Sequence, residues 1–182
     1  MNPRIHPIQK PTNILSWLGF QFIKKELGKI TMVAKVIYVR FPKIMMLVKK
    51  MLDIKASHSL PEQLILLIQT YVATLNGCQF CMDVAKLRAD RKKLDQEKFR
   101  QLMVFENSSH YSHGEKAALA YVEEVTKQVS VNDETFGRLK KYWNDRQIIE
   151  ITYATSVENF LNRMVKPLGI GSDNLCEIHN VS

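Results

Sequence analysis

Apolar residues recur along this chain every three to four positions, and nowhere with the strict alternation of a strand. The first such segment, Ile14–Leu27, carries Trp17, Leu18, Phe22 and Ile23. Two shorter ones, Ile30–Val39 and Lys43–Leu52, are separated by Pro42, which disfavours helix at Phe41. Ser59-Leu60-Pro61-Glu62 reads as a capping box ahead of an apolar run that should stay helical to Leu75. Asn76-Gly77 is a helix stop and turn. Further helices are expected over Cys78–Lys92 and Asp95–Phe105, then a polar loop over Glu106–Ser112. Ser112-His113-Gly114-Glu115 is a second capping box and opens a helix to Gln128. Asp133–Trp143 and Asp145–Val165 follow, and Pro167 with Gly169 ends the last of them. The expected class is all-α, without strands or internal repeats.

Composition fits that reading. The chain has 182 residues, 46% of them hydrophobic, and only 7 Gly and 6 Pro, too few for a turn-dense β fold. This suits one core domain with an arm. Residues 1–13, with Pro3, Pro7 and Pro11, read as an extended and loosely held segment. Residues 14–55 form a basic helical arm, residues 56–169 the core, and residues 170–182 a mobile tail.

Charge separates arm from core. The formal net charge is +8, but residues 1–52 hold ten basic residues and one acidic residue, a net of +9. The remainder holds 16 basic and 17 acidic residues, a net of −1. A basic stretch can meet an anionic membrane or an acidic partner. No nucleic-acid motif accompanies it, however, and Gly28 and Pro42 break it into short helices. Its apolar residues are dense enough to demand burial in protein. The arm is therefore expected to be structural and not a membrane anchor. No run is long enough to span a bilayer, and Ile14–Ile23 lacks the cleavage site of a signal peptide. The Cys count is 3, odd and low, which argues for a reducing, cytoplasmic compartment.

Cys78 and Cys81 carry the candidate chemistry. Their i, i+3 spacing places them on one helical face, able to bridge. A position at a helix N-terminus favours thiolate through the dipole and the free N–H groups, most strongly at Cys78. Asp83 is offset from that face and reads as solvated or partner-facing, with a weaker option of supporting the thiols. Glu62 has the same option beside its capping role. Lys86 and Arg88 read as surface charges, and His110 and His113 as loop residues. Cys176 and His179, spaced C-x-x-H, could complete a Cys₃His zinc set with Cys78 and Cys81. The alternative leaves Cys176 a free thiol in the tail.

At these residues the sequence resembles a known family. Leu75-Asn76-Gly77-Cys78-Gln79-Phe80-Cys81 is similar to the Asn-Gly-Cys-x-(Tyr/Phe/His)-Cys segment of the alkylhydroperoxidase-D-like proteins, within the carboxymuconolactone decarboxylase class. Glu115–Tyr121, Ile148–Ile151 and Asn159–Arg163 resemble its later helices, so the likeness runs from Leu60 to Gly169. It implies an all-α bundle and a homo-oligomer, trimer or hexamer. It also implies thiol-based chemistry on a small peroxide or disulfide, with Cys81 attacking, Cys78 resolving, an external thiol as electron donor and no cofactor. The cysteine pair favours this redox branch over lactone decarboxylation. The family's proton relay is absent: its Glu falls at Leu66 and its His at Ala85. Peroxidase activity should then be weak and disulfide reduction better retained. The competing reading is a non-catalytic helical oligomer whose cysteines are vestigial, redox-sensing or zinc-binding.

Overall fold

The structure, a computed structural model, describes residues 3–11 and 13–175. Among the described residues eight α-helices run in order: α1 Ile14–Leu27, α2 Pro42–Ala56, α3 Glu62–Leu75, α4 Gln79–Arg91, α5 Gln96–Arg100, α6 His113–Gln128, α7 Asp133–Lys140 and α8 Asp145–Val165. No strand occurs among the described residues. The fold is the all-α bundle the pattern calls for.

Helix α3 is the centre, and α4, α6 and α8 pack around it. Its Leu64, Leu67, Ile68 and Val72 meet Leu119 and Val122 of α6 and Ile151 and Ala154 of α8 in the main core. A capping box fixes the start of α8: the Asn144 side chain accepts from Gln147 N–H and the Gln147 side chain accepts from Asn144 N–H. The box at Ser112 and Glu115 likewise opens α6. Helices α7 and α8 begin at Asp133 and Asp145, where the sequence places them, and are capped by Asn132 and Asn144; α7 ends at Lys140, short of the expected Trp143.

The box expected at Ser59 does not form. Pro61 is the N-cap of α3, without a side-chain bond. The Ser59 N–H and hydroxyl instead donate to the Glu150 carboxylate of α8, at 2.9 and 2.8 Å. Glu62, freed from capping, pairs with Lys92 at 2.5 Å on the surface. A buried carboxylate from a distant helix outcompetes a local, solvated one.

The segment Ile30–Val39 is also not a regular α-helix. Ala34–Tyr38 is a π-turn, with the Val39 N–H donating to the Ala34 carbonyl at 3.0 Å. The wider turn serves two faces. Val33, Val36 and Ile37 pack toward Cys78 and Cys81, while Ala34 and Val39 pack with Phe20 and Ile23 of α1. Helix α1 crosses α2 at Gly19, where a Cβ would lie 2.5 Å from the Met45 sulfur. Thus the inner face of the arm is core. The outer face of α1 is not: Ile14, Leu15, Trp17, Leu18 and Phe22 are exposed, against the expectation that its apolar density demands burial.

The chain ends near the arm are held more firmly than their composition suggests. Arg4 N–H donates to the Leu168 carbonyl and Ile8 N–H to the Lys35 carbonyl. Ile170 and Leu175 are buried, so residues 170–175 are packed and not a mobile tail. Cys176 and His179 lie outside the described residues.

Candidate functional site

Asn76-Gly77 sets the site in place. Gly77 takes the left-handed turn, φ +64°. The Asn76 amide donates to Asn159 and Asn162 of α8, both at 3.0 Å, and so ties the turn to the longest helix. Cys78 is the N-cap of α4, and its N–H donates back to the Ala73 carbonyl at 2.8 Å. The two sulfurs are bonded, with Cα atoms 5.3 Å apart, a separation a disulfide accommodates. Both lie in the first turn of α4, where the free N–H groups and the dipole favour negative charge.

The two cysteines differ in what they meet. Cys78 is 1% exposed and packed among Val33, Val36, Ala73 and Val165. Cys81, 7% exposed, lines a cavity of about 260 Å³ enclosed by the arm on one side and α3, α4 and α8 on the other. Most of the wall is apolar, with Ile23, Leu27, Val33, Met45, Val48 and Leu161 prominent. A cavity of about 150 Å³ already holds benzene, so this one has room for a small organic molecule.

The polar part of the wall was not foreseen. Glu158 of α8 is buried. It accepts from the Asn162 amide at 2.8 Å and the Gln69 amide of α3 at 3.4 Å. Arg88 lies two turns after Cys81 and lines the same cavity, not the open surface. Burial lowers its affinity for the proton, the nearby Glu158 and Glu26 carboxylates raise it, and the net shift is downward. Burial also pushes the Tyr38 phenol up to about 12. A signal for Glu158 did exist: it falls in phase with the buried Ile151, Thr155 and Asn162 of α8, where a carboxylate needs a reason.

Of the other candidates, Ala85 lines the cavity and Leu66 is buried, so apolar groups stand where the family's relay falls. Glu62 is on the surface in its pair with Lys92 and does not line the cavity. Asp83 is half-exposed and is engaged by the segment after α8. Its carboxylate receives the Ser172 hydroxyl at 2.5 Å and the Asp173 and Asn174 N–H groups at 2.9 and 3.2 Å, which fastens the segment after α8. His110 and His113 are exposed. Among the described residues no group of three His, Cys, Asp or Glu side chains is placed to hold a metal.

This is the alkylhydroperoxidase-D-like fold, and the chain is similar to proteins of that family. No family model matches the sequence. An Agrobacterium tumefaciens protein thought to be an antioxidant-defence AhpD shares 26% identity and a TM-score of 0.70, over 74% of this chain and 94% of that one. The uncharacterized YdfG of Bacillus subtilis is 29% identical over 105 residues, 57% of this chain and 71% of that protein. A variant of the debrominase Bmp8, in complex with 2,3,4-tribromopyrrole, has the same fold at 20% identity and a TM-score of 0.82, over 96% of this chain and 94% of that one. Coverage that complete leaves too few residues unmatched to omit the arm, so the arm is part of the shared fold. No described helix is long and apolar enough to cross a membrane.

Proposed function

We propose that the chain is a thiol oxidoreductase that reduces an apolar organic hydroperoxide or a disulfide and cycles between the Cys78/Cys81 dithiol and disulfide. One observation carries this: of two bonded sulfurs, Cys81 faces the cavity and Cys78 is sealed behind it. The Cys81 thiolate attacks the outer peroxide oxygen, the O–O bond breaks, and the alkoxide leaves as the alcohol after taking a proton. The Cys81 sulfenic acid then meets the Cys78 thiol, forming the S–S bond and releasing water. An external thiol donor, not identified by the sequence, returns two electrons and two protons. The dipole argument that favoured Cys78 concerns acidity alone; access to substrate favours Cys81 as attacker. The chemistry suits a reducing compartment such as the cytoplasm, and the homo-oligomer is part of this proposal.

The test is consumption of cumene hydroperoxide and of a small aromatic disulfide, with dithiothreitol as donor, beside thiol counting. Mild oxidation should remove both thiols of the pair without linking chains. If both thiols of the pair stay titratable in excess oxidant, the redox reading ends and a non-catalytic helical oligomer remains.

A second reading is reductive debromination. The end-to-end overlap with Bmp8 and the size and apolarity of the cavity favour it. The balance is one aryl bromide and two thiols giving arene, disulfide and hydrogen bromide. Bromide release from a bromopyrrole, measured on the same sample, separates the two.

A further inference from the structure

We propose that the outer face of α1 and α2 docks on an anionic phospholipid bilayer, lying on its surface. In α1, Ile14, Leu18 and Phe22 follow one another at i, i+4 and i+8 and are 78%, 53% and 43% exposed. Leu15 and Trp17, also exposed, flank that stripe. The inner face of the same helix is already used: Ser16, Gly19, Phe20 and Ile23 are buried. The stripe is thus a second apolar face that no described residue covers. On α2, Lys43, Met46, Leu47, Lys50 and Ile54 share one exposed face at helical spacing, mixing the two residue types that an interfacial helix uses.

Charge decides what covers this face. Lys24 and Lys25 stand in the last turn of α1, next to the apolar stripe. Among the described residues, neither they nor Lys43 nor Lys50 form an ion pair with a carboxylate; Asp53 is taken by Lys49 at 2.7 Å. A second copy joined through the same face about a two-fold axis would set Lys24, Lys25, Lys43 and Lys50 against the same four lysines of its partner. The rest of the chain nets −1, its 17 acidic residues nearly balanced by 16 basic ones, so it presents no net countercharge. An anionic lipid surface supplies both the apolar depth for Trp17 and Leu18 and the negative headgroups for the lysines.

The docking face also frames the cavity. Phe22, Lys49 and Asp53 are exposed and line it, so its mouth opens between α1 and α2. An apolar oxidised substrate could pass from the bilayer to Cys81 without crossing water. That last clause rests on the function proposed above; the docking itself does not.

The experiment is sedimentation of the oxidised full chain with vesicles of phosphatidylcholine alone, and of phosphatidylcholine and phosphatidylglycerol in equal parts. The expected result is binding to the mixed vesicles only, lost as salt is raised. Lys24→Gln with Lys25→Gln should weaken it roughly thirtyfold, from about fivefold per lysine. Trp17→Gln with Leu18→Gln should abolish it, while thiol counts and thermal unfolding stay at parent values. Light scattering of the same variant closes the alternative. If Trp17→Gln with Leu18→Gln turns an oligomer into a monomer, the face is a subunit interface and the proposal falls. It falls equally if the parent ignores anionic vesicles, or binds them regardless of salt. Since no chemistry is read, an inactive thiol pair would leave this result intact.

Discussion

Replacing Gly77 with alanine should destabilise the chain and disturb Cys78, for a reason that can be separated into two parts. Gly77 sits at φ +64°, and left-handed backbone costs an L-residue about 1–2 kcal/mol. A Cβ there would also lie 2.5 Å from the Lys166 ammonium, which donates to the Gly77 carbonyl at 3.3 Å. That ammonium is the end of a flexible, exposed side chain, so it can swing away for a few tenths of a kcal/mol. The backbone term should dominate. In a chain of this size each kcal/mol lowers Tm by about 2–4 °C, so Gly77→Ala should lower it by about 2–8 °C. The assay is thermal unfolding by circular dichroism with the disulfide intact. Adding Lys166→Ala should recover almost nothing, and Gly77→Asn should lose less than Gly77→Ala because Asn visits the left-handed region more readily. Full recovery on adding Lys166→Ala would show that the clash, not the backbone, makes glycine necessary, and the reasoning would fail.

Val129 ends α6 at φ +66° although it is β-branched and 85% exposed, so Val129→Gly should stabilise by about 1 kcal/mol, read as a higher Tm; a lower Tm would refute this. With Cys176 replaced by serine in both, Cys78→Ser, which leaves the cavity-facing Cys81, should react with monobromobimane roughly tenfold faster than Cys81→Ser; equal rates would contradict the assignment of roles. Burial pushes the Glu150 carboxyl up, but hydrogen bonds from Ser59 and Arg146 outweigh it and hold the group below its ordinary value. Its folded pKa is therefore under the unfolded one, so its stabilisation is present above the unfolded value and fades as pH falls. Glu150→Gln should unfold more easily than the parent at pH 7, and the gap should close toward pH 3; a constant gap in urea midpoints would exclude the linkage.

Much of this architecture is written locally. The 3.6-residue period, the capping box at Ser112 and Glu115, and the Asn76-Gly77 stop depend on neighbours in sequence, and they alone define α6, α8 and the turn before Cys78. The i, i+3 spacing of Cys78 and Cys81 likewise fixes that they can bridge. What stayed hidden depends on partners far away in the chain. Ser59 and Glu62 form a plausible cap until Glu150, 91 positions from Ser59, offers a buried acceptor. Asp83 looks solvated until residues 172–174 arrive with their N–H groups and hydroxyl. Arg88 looks like a surface charge until α1 and α2 roof the cavity over it. The bundle covers most of the apolar residues of Leu64–Leu75 and Ile148–Val157, and the exposed stripe falls on α1. Composition and period tell a helix that it has an apolar face. Only packing assigns that face to core, cavity or solvent, because burial is a property of what lies opposite.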